Sequence, residues 1–262
     1  MVLAGDAELT SASAYFMSQC SSLTALDLTP LANLTSVGNS FLAQCRALRA
    51  LDLGPLTQLS SVGEWFLIDC VGLTSLDLTP VAQLSSVRDG FLYGCRGLTV
   101  LDLTPLAHVN RVGDWFLSCC TGLTALDLTP LARLTSFGVG FLAHCPGLTA
   151  LDLTSLAQLT LVGDWFLSKC VGLVALDLTP LARLTGVGNG FLYGCRGLNG
   201  LDVTPLAHLS IVGGSFLHGS TGLTALNLTI VFVTDASPAI TQTCVGRETS
   251  PSRFGVNGGV VL

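Results

Sequence analysis

Apolar and polar positions fall in one order along most of this chain, and that order returns every 25 residues. Cys20, Cys45, Cys70, Cys95, Cys120, Cys145, Cys170 and Cys195 mark the period without an insertion, and Ser220 continues the column. Such self-similarity is the mark of stacked structural repeats. Within a unit, Thr24-Ala25-Leu26-Asp27-Leu28-Thr29 alternates with a period of two. This predicts a short strand with Leu26 and Leu28 on the buried face and Asp27 on the other. Thr29-Pro30 predicts an N-cap followed by proline at a first helical position. Val37, Phe41, Leu42, Cys45 and Leu48 follow at helical spacing and predict a short helix with a narrow apolar stripe. Glu64, Asp89, Asp114 and Asp164 would lie in its first turn, where acids suit the helix dipole. Gly72, Gly97, Gly122 and Gly147, two residues after the cysteine, suit a C-terminal cap with positive φ.

Each unit is thus expected to be strand, turn, short helix, turn. None can bury its own leucines, whereas stacked units fuse their apolar faces into one core, with strands side by side at about 4.7–4.9 Å. The fold class is α/β: a curved solenoid with a parallel sheet on one side and short helices or turns on the other. Residues 1–230 would form the array. Residues 231–262, where the period fails, would form an irregular cap or tail.

The in-register recurrence of Leu-x-x-Leu-x-Leu from Leu9 to about Ile230 resembles the leucine-rich-repeat superfamily. The string Val-Gly-x-x-Phe followed by Cys-x-x-Leu-x-x-Leu-x-Leu and a proline is similar to BspA-like repeats, many of them on cell surfaces. It carries one extra residue before the proline and another between Phe and Cys. The stretch Phe141 to Leu148 also resembles the cysteine-containing repeats of ubiquitin-ligase adaptors. Those carry a second Cys or an Asn where this chain has Leu31, Leu56 and Val81. The resemblance implies a protein-interaction module or scaffold with a protein partner. The alternatives are a structural coat protein of the cell surface and the substrate-binding adaptor of a ubiquitin ligase.

Composition narrows these classes. Half of the residues are apolar and 11% charged, yet polar residues and prolines interrupt every apolar run. No stretch approaches the ~18 consecutive apolar residues of a membrane span. With 17 acids against 11 scattered bases, the chain does not suit a phosphate-backbone partner. Met1 to Thr10 has neither a basic nor an apolar segment of the kind that opens a signal peptide. The cysteines lack metal-ligand pairing and sit on the apolar stripe, so they are expected to be buried free thiols. Cys119 and Cys244 stand outside that column and are expected to be more exposed. Unpaired thiols favour a reducing compartment, whereas the sequons Asn33-Leu34-Thr35 and Asn227-Leu228-Thr229 would suit secretion.

Two sets of residues stand out as candidate binding sites. One is the acidic strip Asp27, Asp52, Asp77, Asp102, Asp127, Asp152, Asp177 and Asp202, closed by Asn227. Like charges so stacked repel. The column therefore either serves a basic partner or cation, or accepts hydrogen bonds from the flanking Thr24 and Thr29 columns. The other set comes from a superposed period of 50. Trp65, Trp115 and Trp165 alternate with Gly90, Gly140 and Gly190, and Gly90 to Leu98 repeats identically as Gly190 to Leu198. An indole can fill the space over a neighbouring glycine. Alternatively, Trp65, Tyr93, Trp115, Trp165 and Tyr193 form an aromatic edge that anchors a partner. The exposed strand positions are nearly constant. Variation gathers instead at Ile68-Asp69, Tyr93-Gly94, Ser118-Cys119, His144 and Lys169. Four scattered histidines, no nucleophile elbow and no phosphate loop argue against an enzyme. No metal or cofactor is expected.

Overall fold

The computed structural model describes residues 9–227, together with the pairs 231–232 and 240–241. Within that span every unit contributes one short strand, from Ser11–Ala12 and Ser36–Val37 through to Ile211–Val212. Equivalent strands pair in parallel, Ser36 opposite Ser61 and Val37 opposite Val62, so the register steps by 25 residues without slip. The ladders group as three, two and four strands along the rod.

These strands lie one segment later than the Leu-x-Leu alternation predicts. The predicted facing is right: Leu26 is 8% and Leu28 1% exposed, and Asp27 is exposed. The backbones there stand further apart, however, with Thr124 N at 3.3 Å from Thr99 O and Val174 N at 3.4 Å from Thr149 O. Ser60 N approaches Thr35 O to 2.9 Å. Only Gly200–Asp202 and Ala225–Asn227 close into a ladder in this segment. Asp27 Oδ1 accepts the Thr29 N–H at 2.9 Å where the chain turns into the 3₁₀ helix Thr29–Leu31. Asp202 makes the same bond to Thr204 N in the segment that does pair, so the bond shapes the turn and does not by itself prevent the ladder. Leu28, not Thr29, occupies the N-cap position, and Asp27 performs the capping.

The predicted helix is absent: among the described residues there is no α-helix. Residues 40, 42 and 44, and their equivalents in the other units, have φ between 50° and 75°. Leu42, Leu67 and Leu92 belong to this set, as do Trp65, Trp115 and Trp165. A left-handed non-glycine residue costs about 1–2 kcal/mol, so something must hold it. Neighbouring units do. Trp65 N donates to Asp89 O at 2.6 Å in the next unit, Leu67 N to Phe41 O at 3.1 Å in the previous one, and Asp69 N to Tyr93 O at 2.8 Å in the next. A helix would direct these N–H groups along its own axis, whereas alternating φ directs them sideways into both neighbours. The acids assigned to a helix first turn serve the same end. Asp89 Oδ1 accepts from Asp114 N at 2.9 Å and Asp114 Oδ1 from Val139 N at 2.8 Å. Gly72 and Gly97 are not left-handed caps. A Cβ on Gly72 would lie 2.7 Å from both Arg46 O and Leu48 O, so glycine is required by close approach of the previous unit.

The apolar residues remain inside although the backbone differs. Phe16, Phe41, Phe66, Phe91, Phe116, Phe141, Phe166, Phe191 and Phe216 form one stack with centroids 5.4–5.9 Å apart and planes within 11°. The wider centroid spacing than the unit rise marks an offset stack, the favourable aromatic arrangement. Beside it runs the thiol column. Cys70 Sγ donates to Leu42 O at 3.1 Å and Cys95 Sγ to Leu67 O at 3.2 Å. Each thiol thus satisfies the carbonyl of a left-handed leucine in the previous unit. Ser220 Oγ does the same to Leu192 O at 2.8 Å. The cysteines in the described residues are free, and those from Cys45 to Cys195 in the column are fully shielded. Burial pushes the Cys70 and Cys195 thiols up to about 12 and drives Cys95, Cys120, Cys145 and Cys170 well above the ordinary thiol value. Cys20 and Cys119 are partly exposed. Cys244 lies outside the described residues, and so does most of the predicted cap 231–262. There Val231–Phe232 pairs antiparallel with Ile240–Thr241.

Candidate functional site

The eight strip aspartates point to solvent in one line, as the alternation requires, but their carboxylates are engaged. Asp52 Oδ1 accepts from Gly54 N at 2.7 Å, Asp102 Oδ1 from Thr104 N at 2.8 Å, and Asp127 Oδ1 from Thr129 N at 2.8 Å. Asp77, Asp152, Asp177 and Asp202 repeat the contact. The following threonine hydroxyl first, and its N–H second, hold Asp27, Asp77, Asp102, Asp127, Asp152, Asp177 and Asp202 below the usual carboxylate range. Of the two threonine columns expected to donate, the Thr29 column does so. Mutual repulsion is therefore offset by bonds that favour the charged form.

The aromatic set comes together on the turn edge. Trp65 packs edge to face on Tyr93 at 6.0 Å, and Tyr93 on Trp115 at 6.4 Å. Further along, Trp165 meets Tyr193 at 5.6 Å, and Tyr193 stacks on His218 at 5.6 Å. All five predicted aromatics are half-buried. Each indole lies over the glycine of the next unit, Trp65 over Gly90, Trp115 over Gly140 and Trp165 over Gly190. The space-filling reading of the tryptophan–glycine alternation thus holds, and one ring edge still meets solvent. The neighbouring Cys119 thiol, and then burial, push the Tyr93 phenol up to about 12.

The ladder has one gap. The position of Tyr93 and Tyr193 is filled in the intervening glycine unit by Ala143, which is fully buried. That column carries no ring between Trp115 and Trp165, where the adjacent His144 stands instead, and an open cleft of about 450 Å³ runs from these two indoles on to His218. It is lined by these two indoles with His144, Ser168, Lys169, Tyr193, Ser215 and His218. Burial, and then the charge of Lys169, lower the His144 pKa. The tryptophans, Tyr193, His144 and Lys169 were legible as variable positions. Ser168, Ser215 and His218 were not, although His218 shares the column of Tyr93 and Tyr193. Among the described residues no three His, Cys, Asp or Glu side chains converge as a metal set, and no helix is long and apolar enough to cross a membrane.

A parallel, insertion-free stack of Leu-rich units with a constant aspartate strip and a variable turn edge defines a leucine-rich-repeat solenoid. The chain belongs to the BspA type leucine-rich repeat region family, whose pattern matches in six copies over residues 10–149 and 85–224. The fold is shared with a leucine-rich repeat protein from Bacteroides ovatus. That protein is 19% identical with a TM-score of 0.66, covering 86% of this chain and 54% of the other. The chain spans about half the length of that protein. Also similar are the T. pallidum leucine-rich repeat protein and the functional domain of InlJ from Listeria monocytogenes. The first is 18% identical, covers 66% of this chain and 77% of that one, and has a TM-score of 0.49. The second is 24% identical, covers 78% and 55%, and has a TM-score of 0.30. No curated protein sequence matches the chain.

Proposed function

We propose that this chain is a protein-binding scaffold whose contact surface is the aromatic turn edge, with Trp65, Tyr93, Trp115, Trp165 and Tyr193 as anchors. One observation carries the reading. The aspartate strip is the same in every unit and its carboxylates are bound to its own backbone, whereas the turn edge changes from unit to unit and carries large, half-buried rings. Recognition needs distinct side chains at distinct places, and half-exposed Trp and Tyr supply most of the energy at protein contacts. Membership in the BspA type family, whose repeats build surface or interaction scaffolds, fits this role. The acidic strip is then a structural device first, and it serves a basic partner only through the carboxylate oxygens left in water. A second reading, a coat or spacer protein, draws on the zero-insertion array, which makes a rod of constant cross-section. We read no catalytic role in the chain.

A photo-crosslinking amino acid placed in turn at the Tyr93 and Asp127 positions separates these readings. Protein adducts from position 93 alone are expected. Adducts from position 127 alone would return the function to the acidic strip. Adducts from neither position would favour the spacer.

A further inference from the structure

The turn edge carries the same ring pair twice, once with an acid beside it and once with a base. Gly90 to Leu98 and Gly190 to Leu198 are identical. The tryptophans of the units before them, Trp65 and Trp165, meet Tyr93 and Tyr193 edge to face at 6.0 and 5.6 Å. Yet the two residues ahead of the column cysteine differ: Ile68-Asp69 follows the first tryptophan and Ser168-Lys169 the second. Both charged side chains lie against a glycine of the next unit. Asp69 Oδ1 sits beside Gly94, and Lys169 Cγ is 3.3 Å from the point where a Gly194 Cβ would stand. An otherwise repeated frame thus exchanges an apolar side chain and a carboxylate for a hydroxyl and an ammonium.

The surroundings of the exchanged pair suit an anion. The chain has a net charge of −6, yet no Asp or Glu lines the cleft beside Trp165, and Lys169 on its rim is the sole lysine. His144, Ser168 and Ser215 line it as well, and hydroxyls and imidazoles, like the ammonium, can each donate a hydrogen bond. Ser168 is the most telling of them. It is 1% exposed, but among the described residues its hydroxyl makes no hydrogen bond. Ser118, the equivalent residue of the Trp115 unit, is equally buried and its Oγ donates to Ala143 O at 2.9 Å. Ser168 lines the cleft instead, so its proton is left for whatever fills the cleft. Burial first, and then the charge of Lys169, hold the His144 imidazole toward its neutral form; a bound anion would offset that charge.

We propose that this cleft binds a phosphate monoester, its oxygens taken by Lys169, Ser168 and His144. A phosphate carries close to two negative charges and three strong acceptor oxygens, whereas a carboxylate carries one charge and two oxygens. Donors on separate side chains around a single fixed cation match the first. The site goes beyond the protein-binding reading and stands without it, since a small phosphate ester and a phosphorylated side chain present the same group.

Titration of the full chain with a phosphoserine hexapeptide free of other charged side chains, and separately with inorganic phosphate, tests the proposal by indole fluorescence and calorimetry. The unphosphorylated peptide and its glutamate version serve as comparisons. Saturable binding of both phosphate probes is expected, with weaker binding of the glutamate peptide and none of the unphosphorylated one. Tighter binding of the phosphopeptide than of phosphate would mark a phosphorylated partner as the source, and equal binding a small ester. Lys169→Gln should weaken the phosphopeptide about tenfold, the equivalent of one good charge-assisted contact. Ser168→Ala should weaken it about threefold without lowering the urea midpoint, whereas Ser118→Ala should lower the midpoint and leave binding unchanged. Ser168→Ile combined with Lys169→Asp is the decisive variant. Ile68 already occupies this position between Ala43 and Tyr93, as Ser168 does between Ala143 and Tyr193, so the fold should persist by circular dichroism while binding is lost. Undiminished phosphopeptide binding by that folded variant would overturn the proposal. So would equal binding of the glutamate peptide, or no binding of either phosphate probe.

Discussion

Between residues 30 and 205, Ser155 is the one break in a column that otherwise reads Pro30, Pro55, Pro80, Pro105, Pro130, Pro180 and Pro205. Its hydroxyl is buried and, among the described residues, has no hydrogen-bond partner. The surrounding backbone follows that of the Pro55 unit, where the residue after the turn likewise makes no N–H bond back to its first carbonyl, while the other proline units do. Thr154 N donates to Asp152 Oδ1 at 2.8 Å as Thr129 N does to Asp127 Oδ1, and Leu156 N donates to Leu153 O at 2.8 Å where Leu131 N reaches Leu128 O at 2.9 Å. Ser155→Pro should therefore fit without strain. Two gains combine. Removing a buried unsatisfied hydroxyl is worth about 1–3 kcal/mol, and fixing φ in the unfolded chain adds about 0.4–1 kcal/mol. Part of the Ser155 residue still meets solvent, which favours the lower ends, so the expected gain is about 1–2 kcal/mol. Urea unfolding should show a higher midpoint at unchanged slope, the mark of a stability change without a change in the surface exposed. Ser155→Ala should recover the hydroxyl part alone, and Pro130→Ser should lose a comparable amount. A Ser155→Pro protein no more stable than Ser155→Ala, or less stable than the parent, would show that the turn in this unit differs from its neighbours.

Other outcomes follow from the same geometry. Leu128→Ala should cost about 2–5 kcal/mol by opening a cavity within the stack, with Leu126→Ala at the low end because that leucine is 9% exposed; equilibrium unfolding reads both. The strip aspartates have lower pKa values folded than unfolded, so the unfolded chain takes up more protons as pH falls. Their stabilisation should be complete above the unfolded value of about 3.9 and vanish as pH drops through the folded values. Replacing Asp102, Asp127 and Asp152 together by Asn, which keeps an acceptor for the Thr104, Thr129 and Thr154 N–H groups but not the charge, should flatten that acid limb by lowering neutral-pH stability towards the acid value. The same triple change to Ala should destabilise the fold at every pH. A thiol reagent on the native protein should reach Cys119 and Cys20 before any cysteine from Cys45 to Cys195 in the column, which should react only on unfolding; rapid labelling of Cys95 or Cys120 would contradict the thiol-to-carbonyl bonds.

The inside of this protein was legible and part of its backbone was not. Spacing alone named Leu26, Leu28, Phe41 and Cys45 as core, because a residue's affinity for the interior does not depend on how the chain carries it there. The segment from Val37 to Leu48 read as a helix because apolar residues four, one, three and three apart also suit tight turns whose middle residues alternate in hand. The signal against a helix was present, though sparse. Gly90, Gly140 and Gly190 occupy left-handed positions, and other units fill them with Trp or Ser, which hide the requirement. The bond of Asp27 was half legible: its threonine partners were foreseen, but not that the donor would be the Thr29 N–H at the start of a 3₁₀ turn. The aromatic edge was named from Trp65 to Tyr193. The cleft along it was not, because it is lined by side chains of successive units, from Trp115 to His218, that only stacking brings together.

The side-chain bonds between units join residues 25 or 28 apart, whether thiol to carbonyl or threonine to threonine. Within the described residues these bonds close no loop longer than about one unit. The chain's mean sequence separation is set by the size of one unit and not by the length of the array. Relative contact order should consequently fall as units are added, and with it the entropic obstacle that slows most sheet proteins. Once two neighbouring units have docked, each further turn of the rod closes the same short loop onto a finished surface. Duplication of 50-residue blocks, as in the identical Gly90 to Leu98 and Gly190 to Leu198 segments, would then lengthen the protein without slowing the step by which it grows.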